Sequence, residues 1–181
     1  MRKLSHEEIV ERQKVRRQAP RIPLTVVLND IRSLYNVGAI FRTADGAGVE
    51  KIWICGITGH PPNTMIAKTA LGAEDSVRWE YREDCVTVVR HMKEQGYAIV
   101  LLEQMESSRP HDMYVPQQPV CLVLGNEIHG VSPEILSLTD DAVEIEMCGI
   151  KNSLNVSVAF GVIAYSLRRH LKKINAHEHK G

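Results

Sequence analysis

The stretch that most constrains this chain is GIKNSLNVSVAFGVIAYSLRRHL, residues 149–171. It starts as a glycine-marked loop. It then sets Ser153 and Asn155, both helix-capping residue types, in front of an apolar run. From Val156 to Ala164 nearly every side chain is apolar, which predicts a helix buried on most faces. From Ser166 the helix turns amphipathic and basic, with Arg168, Arg169, Lys172 and Lys173. A buried helix body fixes the polar loop at its start, and the free N–H groups there carry partial positive charge that suits a polar ligand.

The rest of the chain alternates strand and helix. Ser5 and Glu8 form an S-x-x-E capping box, predicting a mostly charged surface helix over 6–18 that Pro20 and Pro23 end. LTVVL (24–28) predicts a strand and NDIRSLYN a polar loop. VGAIFRTADGAG predicts a helix with Val37, Ile40, Phe41, Ala44 and Ala47 on one face, closed by Gly46 and Gly48. Further strands are predicted at 51–55, 77–81, 97–103, 120–125 and 142–147. Helices are predicted at 64–72, 84–95 and 132–138, the last opened by Ser132 and Pro133. This alternation implies an α/β fold in a single domain, a parallel sheet with helices on both faces. The 181 residues suffice to bury such a core. Ligands of such sheets lie beyond the carboxyl ends of the strands. Three loops there gather polar and glycine residues: NDIRSLYN, GNEIHGVS and MCGIKNSLN.

The 22 Lys and Arg balance 22 Asp and Glu, yet residues 1–22 hold seven basic side chains against three acidic, and residues 166–181 five against one. Two basic ends could grip a polyanion, or could simply be solvated. Cys55, Cys85, Cys121 and Cys148 show no C-x-x-C spacing, which predicts reduced thiols and no disulfide framework. No signal peptide and no membrane-length apolar run is read, so the expectation is a cytoplasmic protein without membrane contact. Phosphate-loop, dinucleotide-loop and nucleophile-elbow motifs are absent. His60, His91, His111 and His129 share no metal-ligand spacing, and HEHK at 177–180 reads as a terminal tail, so no metal is expected. What remains is chemistry run on backbone loops, amides and one or two charged residues, which suits a cofactor bearing its own reactive group.

The segments NVGAIFRTADGAG, LVLGNEIHGVS and IEMCGIKNSLNVSVA resemble, in order and spacing, the three motifs of the TrmH/SpoU family of RNA 2′-O-ribose methyltransferases in the SPOUT superfamily. The strand–helix pattern over residues 23–173 is compatible with it. The resemblance implies S-adenosylmethionine as cofactor, a deep trefoil knot in the C-terminal half and a homodimer. Pattern alone gives an unknotted doubly wound sheet, since true knots are essentially absent from folds. The implied reaction methylates a ribose 2′-hydroxyl in structured RNA, tRNA more than rRNA, because only about the first 22 residues precede the first strand. An RNA-binding protein of this fold without turnover and a base-methylating SPOUT enzyme are the other readings.

The resemblance also assigns residues. Arg42 lies roughly opposite the apolar stripe of its helix, toward solvent or ligand, and matches the catalytic arginine. Arginine keeps its proton far above neutral pH, so clamping a phosphate and stabilising alkoxide charge is chemically easier than acting as a base. Asn36 would orient the ribose or Arg42, or cap its helix. Glu127 would orient Asn36, Arg42 or the target nucleotide, or be an exposed loop carboxylate. Asn155 matches the third-motif asparagine, or is a capping amide. Leu102, Gly125, Asn126, Gly130, Ile145, Met147, Ser153 and Leu154 fall where the family wraps the cofactor, with Ile145 and Leu154 walling the adenine. Without the resemblance the glycines read as turns and Ile145 as core. RNA would meet the basic N-terminal helix (about 5–18) through Arg12, Arg16 and Arg17, together with Arg32, Lys68, Arg78 and a basic tail over 174–181. The apolar body of the last helix exceeds what one sheet face needs, which assigns part of it to a twin subunit.

Overall fold

The computed structural model describes residues 1–178, with side chains to Ile174. Its strands are β1 (Ile22–Asn29), β2 (Val49–Cys55), β3 (Arg78–Arg82), β4 (Ala98–Leu102), β5 (Arg109–Pro110), β6 (Val120–Leu124) and β7 (Asp141–Glu144). They form one sheet in the order β3-β2-β1-β6-β4-β7-β5, and every pairing is parallel. The helices are α1 (His6–Arg17), α2 (Leu34–Ala47), α3 (Thr64–Ala70), α4 (Ala73–Ser76), α5 (Cys85–Glu94), α6 (Pro133–Leu138) and α7 (Val156–Glu178).

Strand β1 is buried along its whole length, and its alternation divides the interior into two cores. Leu24, Val26 and Leu28 enter the core beneath α2, α3 and α7. Val27 enters the core beneath α5 and α6, with Cys55, Cys85 and Cys121. These three thiols are buried and Cys148 is exposed, all four free. Helices thus cover both faces, as the sequence predicts. Among the described residues no helix is long and apolar enough to cross a membrane.

Several boundaries differ from the sequence reading. Pro23, expected to help end the first helix, lies inside β1, where the register against β2 slips between Ile22 and Thr25. A missing N–H is tolerated at such an irregularity. Helix α2 starts at Leu34 rather than Val37, because the Ser33 hydroxyl accepts the Asn36 N–H at 3.3 Å. Strand β7 ends at Glu144 and releases Ile145 to Met147 into the next segment. The two-residue β5 and the one-turn α4 were not foreseen; neither is long enough to show a period.

Helix α7 is buried along one stripe, not on most faces. Phe160, Ile163, Ala164, Leu167 and Leu171 are fully covered, whereas Val158 and Tyr165 are each 52% exposed and Val162 36%. A helix laid on one sheet face is covered from one side, however apolar its sequence. The capping box of α1 is present: Ser5 N–H donates to Glu8 Oε2 at 2.7 Å and Glu8 N–H to Ser5 Oγ at 3.2 Å. No residue of α1 is buried. Beyond Ile174, the side chains of the basic tail lie outside the described residues.

Candidate active site

All strands point the same way, so the loops after them gather at one edge. There, past the ends of β4, β6 and β7, lies a cavity of about 540 Å³, within the size range of small-molecule sites. Leu102, Leu124, Ile145, Leu154, Val156 and Ala159 form its apolar wall. Three acidic residues, Glu103, Glu127 and Glu144, line it, and among the described residues no Lys, Arg or His does. Gly125, Asn126, Gln104, Asn152, Ser153 and Asn155 complete the lining.

The second polar loop is shaped by backbone proximity. Asn126 and Gly130 exchange two backbone hydrogen bonds of 2.9 Å. Gly130 has φ +66°, a conformation that glycine adopts without strain. A methyl group on Gly125 would stand 2.7 Å from the Gly130 carbonyl carbon. The Asn126 side chain accepts from the N–H groups of Ile128 and His129 at 2.9 and 3.0 Å and donates to the Asp30 carbonyl at 2.8 Å. One amide therefore closes the second loop and ties it to the first. Asp30 holds φ +58°, and its carboxylate accepts the Ile57 N–H at 3.0 Å.

The third loop is tied twice. Gln104 Nε2 donates to the Asn152 carbonyl at 2.7 Å. Asn155 Oδ1 accepts from Ser157 N and Oγ at 3.0 and 2.7 Å, which caps α7. Its Nδ2 donates to Asn36 Oδ1 at 3.1 Å. One amide thus both caps α7 and reaches Asn36. Asn36 is not the cap of α2 but sits in its first turn.

Of the residues assigned to the cofactor, Leu102, Gly125, Asn126, Ile145, Ser153 and Leu154 line the cavity, while Gly130 and Met147 lie off its wall. Glu127 and Asn155 line it too. Asn36 is off the wall but one hydrogen bond from it through Asn155. Arg42 is exposed on α2, off the cavity wall, and makes no hydrogen bond or ion pair among the described residues. Glu127 makes no hydrogen bond to Asn36 or Arg42. Arg12, Arg16, Arg17, Arg32, Lys68 and Arg78 are all exposed. Sequence reasoning missed Glu103, Gln104, Glu144 and Asn152. The rule that sites lie at carboxyl strand ends points to Glu103, Gln104 and Asn152, whereas Glu144 falls inside the strand predicted over 142–147.

Residues 23–165 match the model of the SpoU rRNA Methylase family. The tRNA (guanosine(18)-2′-O)-methyltransferase of Thermus thermophilus is 32% identical over 164 residues, 91% of this chain and 82% of that protein. Among solved structures, the A. aeolicus TrmH/SpoU tRNA modifying enzyme superposes with a TM-score of 0.78 at 28% identity, over 93% of this chain and 88% of that one. The AdoMet-bound rRNA methyltransferase from Sinorhizobium meliloti gives a TM-score of 0.77 at 26% identity; 87% of this chain matches 60% of that one.

Proposed function

The chain belongs to the SpoU rRNA methylase family, and on that footing we propose that it transfers the methyl group of S-adenosylmethionine to a ribose 2′-hydroxyl of RNA, a transfer RNA in preference to a ribosomal one. The substrate preference leans on the relatives from Thermus thermophilus and A. aeolicus, both described as acting on tRNA. The observation that carries the reading is one cavity at which the three polar loops are hydrogen-bonded together, through Asn126 to Asp30 and Asn155 to Asn36.

The residues present fit the cofactor. Ile145, Leu154 and Leu102 offer apolar surface to an adenine, and Gly125 lets the Gly130 backbone close the loop beside them. Three acidic residues in the lining, with no Lys, Arg or His beside them among the described residues, favour a ligand carrying positive charge. Bound there, S-adenosylmethionine supplies a methyl on a cationic sulfur that is already a good leaving group. The protein's part is then orientation and charge. Asn36, steadied by Asn155, orients the ribose. Arg42, unpartnered among the described residues, takes an RNA phosphate and stabilises charge growing on the attacking oxygen. Glu127 orients the target nucleotide from the cavity wall.

The finer parts of the reading have their own supports. A trefoil knot accords with residues 144–152 being held against 103–111, by Gln104 to Asn152, Ser108 to Glu144 at 2.7 Å, and His111 N–H to the Glu144 carbonyl at 2.9 Å. A homodimer accords with the uncovered Val158, Val162 and Tyr165 stripe of α7. A reducing, cytoplasmic setting accords with the free thiols. The test is direct: incubate the protein with labelled cofactor and either total tRNA or ribosomal RNA, then digest the RNA to nucleosides. Label in a 2′-O-methylnucleoside from tRNA is the expected result. Label in a base-methylated nucleoside, or in none, overturns the reading.

A further inference from the structure

Helix α2 carries a second exposed side chain on the face of Arg42. Tyr35 and Arg42 lie two turns apart, about 10 Å along the helix axis and nearly in line. Tyr35 is 45% exposed, belongs to neither core cluster, and its hydroxyl makes no hydrogen bond among the described residues. It is adjacent in sequence to Asn36, which joins the cavity rim through Asn155.

Its backbone is held firmly. The Tyr35 carbonyl accepts from Thr69 Oγ1 at 3.0 Å. Helix α3 can come that near because α2 has Gly38, where a methyl group would stand 2.1 Å from Thr69 Oγ1 and 2.3 Å from the Ile66 carbonyl oxygen. The same contact brings exposed Lys68, the residue before Thr69, into the neighbourhood of Tyr35. On the other side, exposed Arg32 precedes the Ser33 cap of α2. An exposed aromatic ring on an anchored backbone, with exposed Lys68 on the contacting helix and exposed Arg32 three residues before the ring, beside the residues assigned to the ribose, is a combination that engages unpaired nucleotides. Bases stack on the ring and the backbone phosphates meet the cations.

We propose that Tyr35 is a stacking platform for a base of the substrate RNA at or next to the methylated nucleotide, with Lys68 and Arg32 on the flanking phosphates. The proposal rests on the RNA 2′-O-methylation reading and adds to it a residue that selects substrate rather than one that performs the transfer.

The experiment compares wild type with Tyr35→Ala, Tyr35→Phe, Tyr35→Trp and Lys68→Ala, using total tRNA. Affinity is measured by filter binding across a salt series, methyl transfer by steady-state kinetics, cofactor affinity by calorimetry and mass by sedimentation. Tyr35→Ala is expected to raise both KM and Kd for tRNA about tenfold, with cofactor affinity, kcat at saturating RNA and sedimenting mass unchanged. Tyr35→Phe and Tyr35→Trp are expected to behave as wild type, because a ring face and not a hydroxyl is required. The slope of log affinity against log salt is expected to stay constant in Tyr35→Ala and to fall by about one in Lys68→Ala. Unchanged tRNA affinity in Tyr35→Ala, or equal loss in Tyr35→Phe, overturns the proposal. A changed mass in Tyr35→Ala also overturns it, by assigning the ring to a second copy of the chain. Wild type that binds tRNA and methylates none of it sinks the parent reading alone; wild type that binds no tRNA sinks both.

Discussion

Arg42 is the side chain to which the proposed mechanism gives the charge on the attacking oxygen. Replacing it with alanine is expected to lower turnover about 100-fold or more, the scale of losing one preorganised donor to a developing oxyanion. Cofactor affinity measured by calorimetry should stay near wild type, because Arg42 is off the cavity wall. At this scale the sequence was informative where function is local in the chain. The glycine loop, Ile145, Leu154 and Asn155 could all be named because each motif is contiguous. Glu103 and Glu144 could not. Glu103 reads as surface at the end of a strand and Glu144 as part of one, and only the pairing of β4 with β7 puts both in one cavity lining. The cap of α2 was equally hidden, since Ser33 and Asn36 are both capping types and only the 3.3 Å bond between them decides.

At the scale of elements, two contacts make testable claims. Helices α2 and α3 touch through Gly38, and a methyl group there meets the Ile66 carbonyl, which cannot rotate away. Gly38→Ala is therefore expected to destabilise the fold by about 1–3 kcal/mol, the range for overpacking, read as a lower denaturant midpoint with unchanged slope. Helix α1 offers a pH signature. The Arg2 guanidinium and then the Ser5 N–H hold the Glu8 carboxyl down to about 2, below an ordinary value of 4.5. A depressed carboxylate contributes fully above its unfolded value and loses that contribution as pH falls through the folded one. The Ser5 and Glu8 amide resonances should thus hold steady above pH 4.5 and shift toward uncapped positions as pH approaches 2. In Glu8→Gln that titration should vanish. Long strands and helices were legible because each spans several periods of its pattern. Strand β5 and helix α4 were not, because their few residues hold no full period. The exposure of Val158 and Val162 was misjudged because hydrophobicity reports what a side chain prefers, not what covers it.

For the whole molecule, the open question of partners rests on the α7 stripe. Val158→Asp is expected to halve the sedimenting mass at micromolar concentration while leaving the thermal midpoint of the monomer nearly unchanged, since Val158 is 52% exposed in the single chain. A wild type that sediments as a monomer would contradict the dimer. The alternation of strand and helix gave the parallel sheet and its two cores, but strand order, with β6 inserted between β1 and β4, is long-range and has no local signature. One more result follows from the hydrogen bond between Asn36 and Asn155, residues 119 positions apart. Synthesis runs from the amino end, and early parts of a chain fold while later parts are still being made. Every strand is synthesised before residue 152, yet the cavity lining runs on to Ala159, so the pocket is completed only once the sheet has been made.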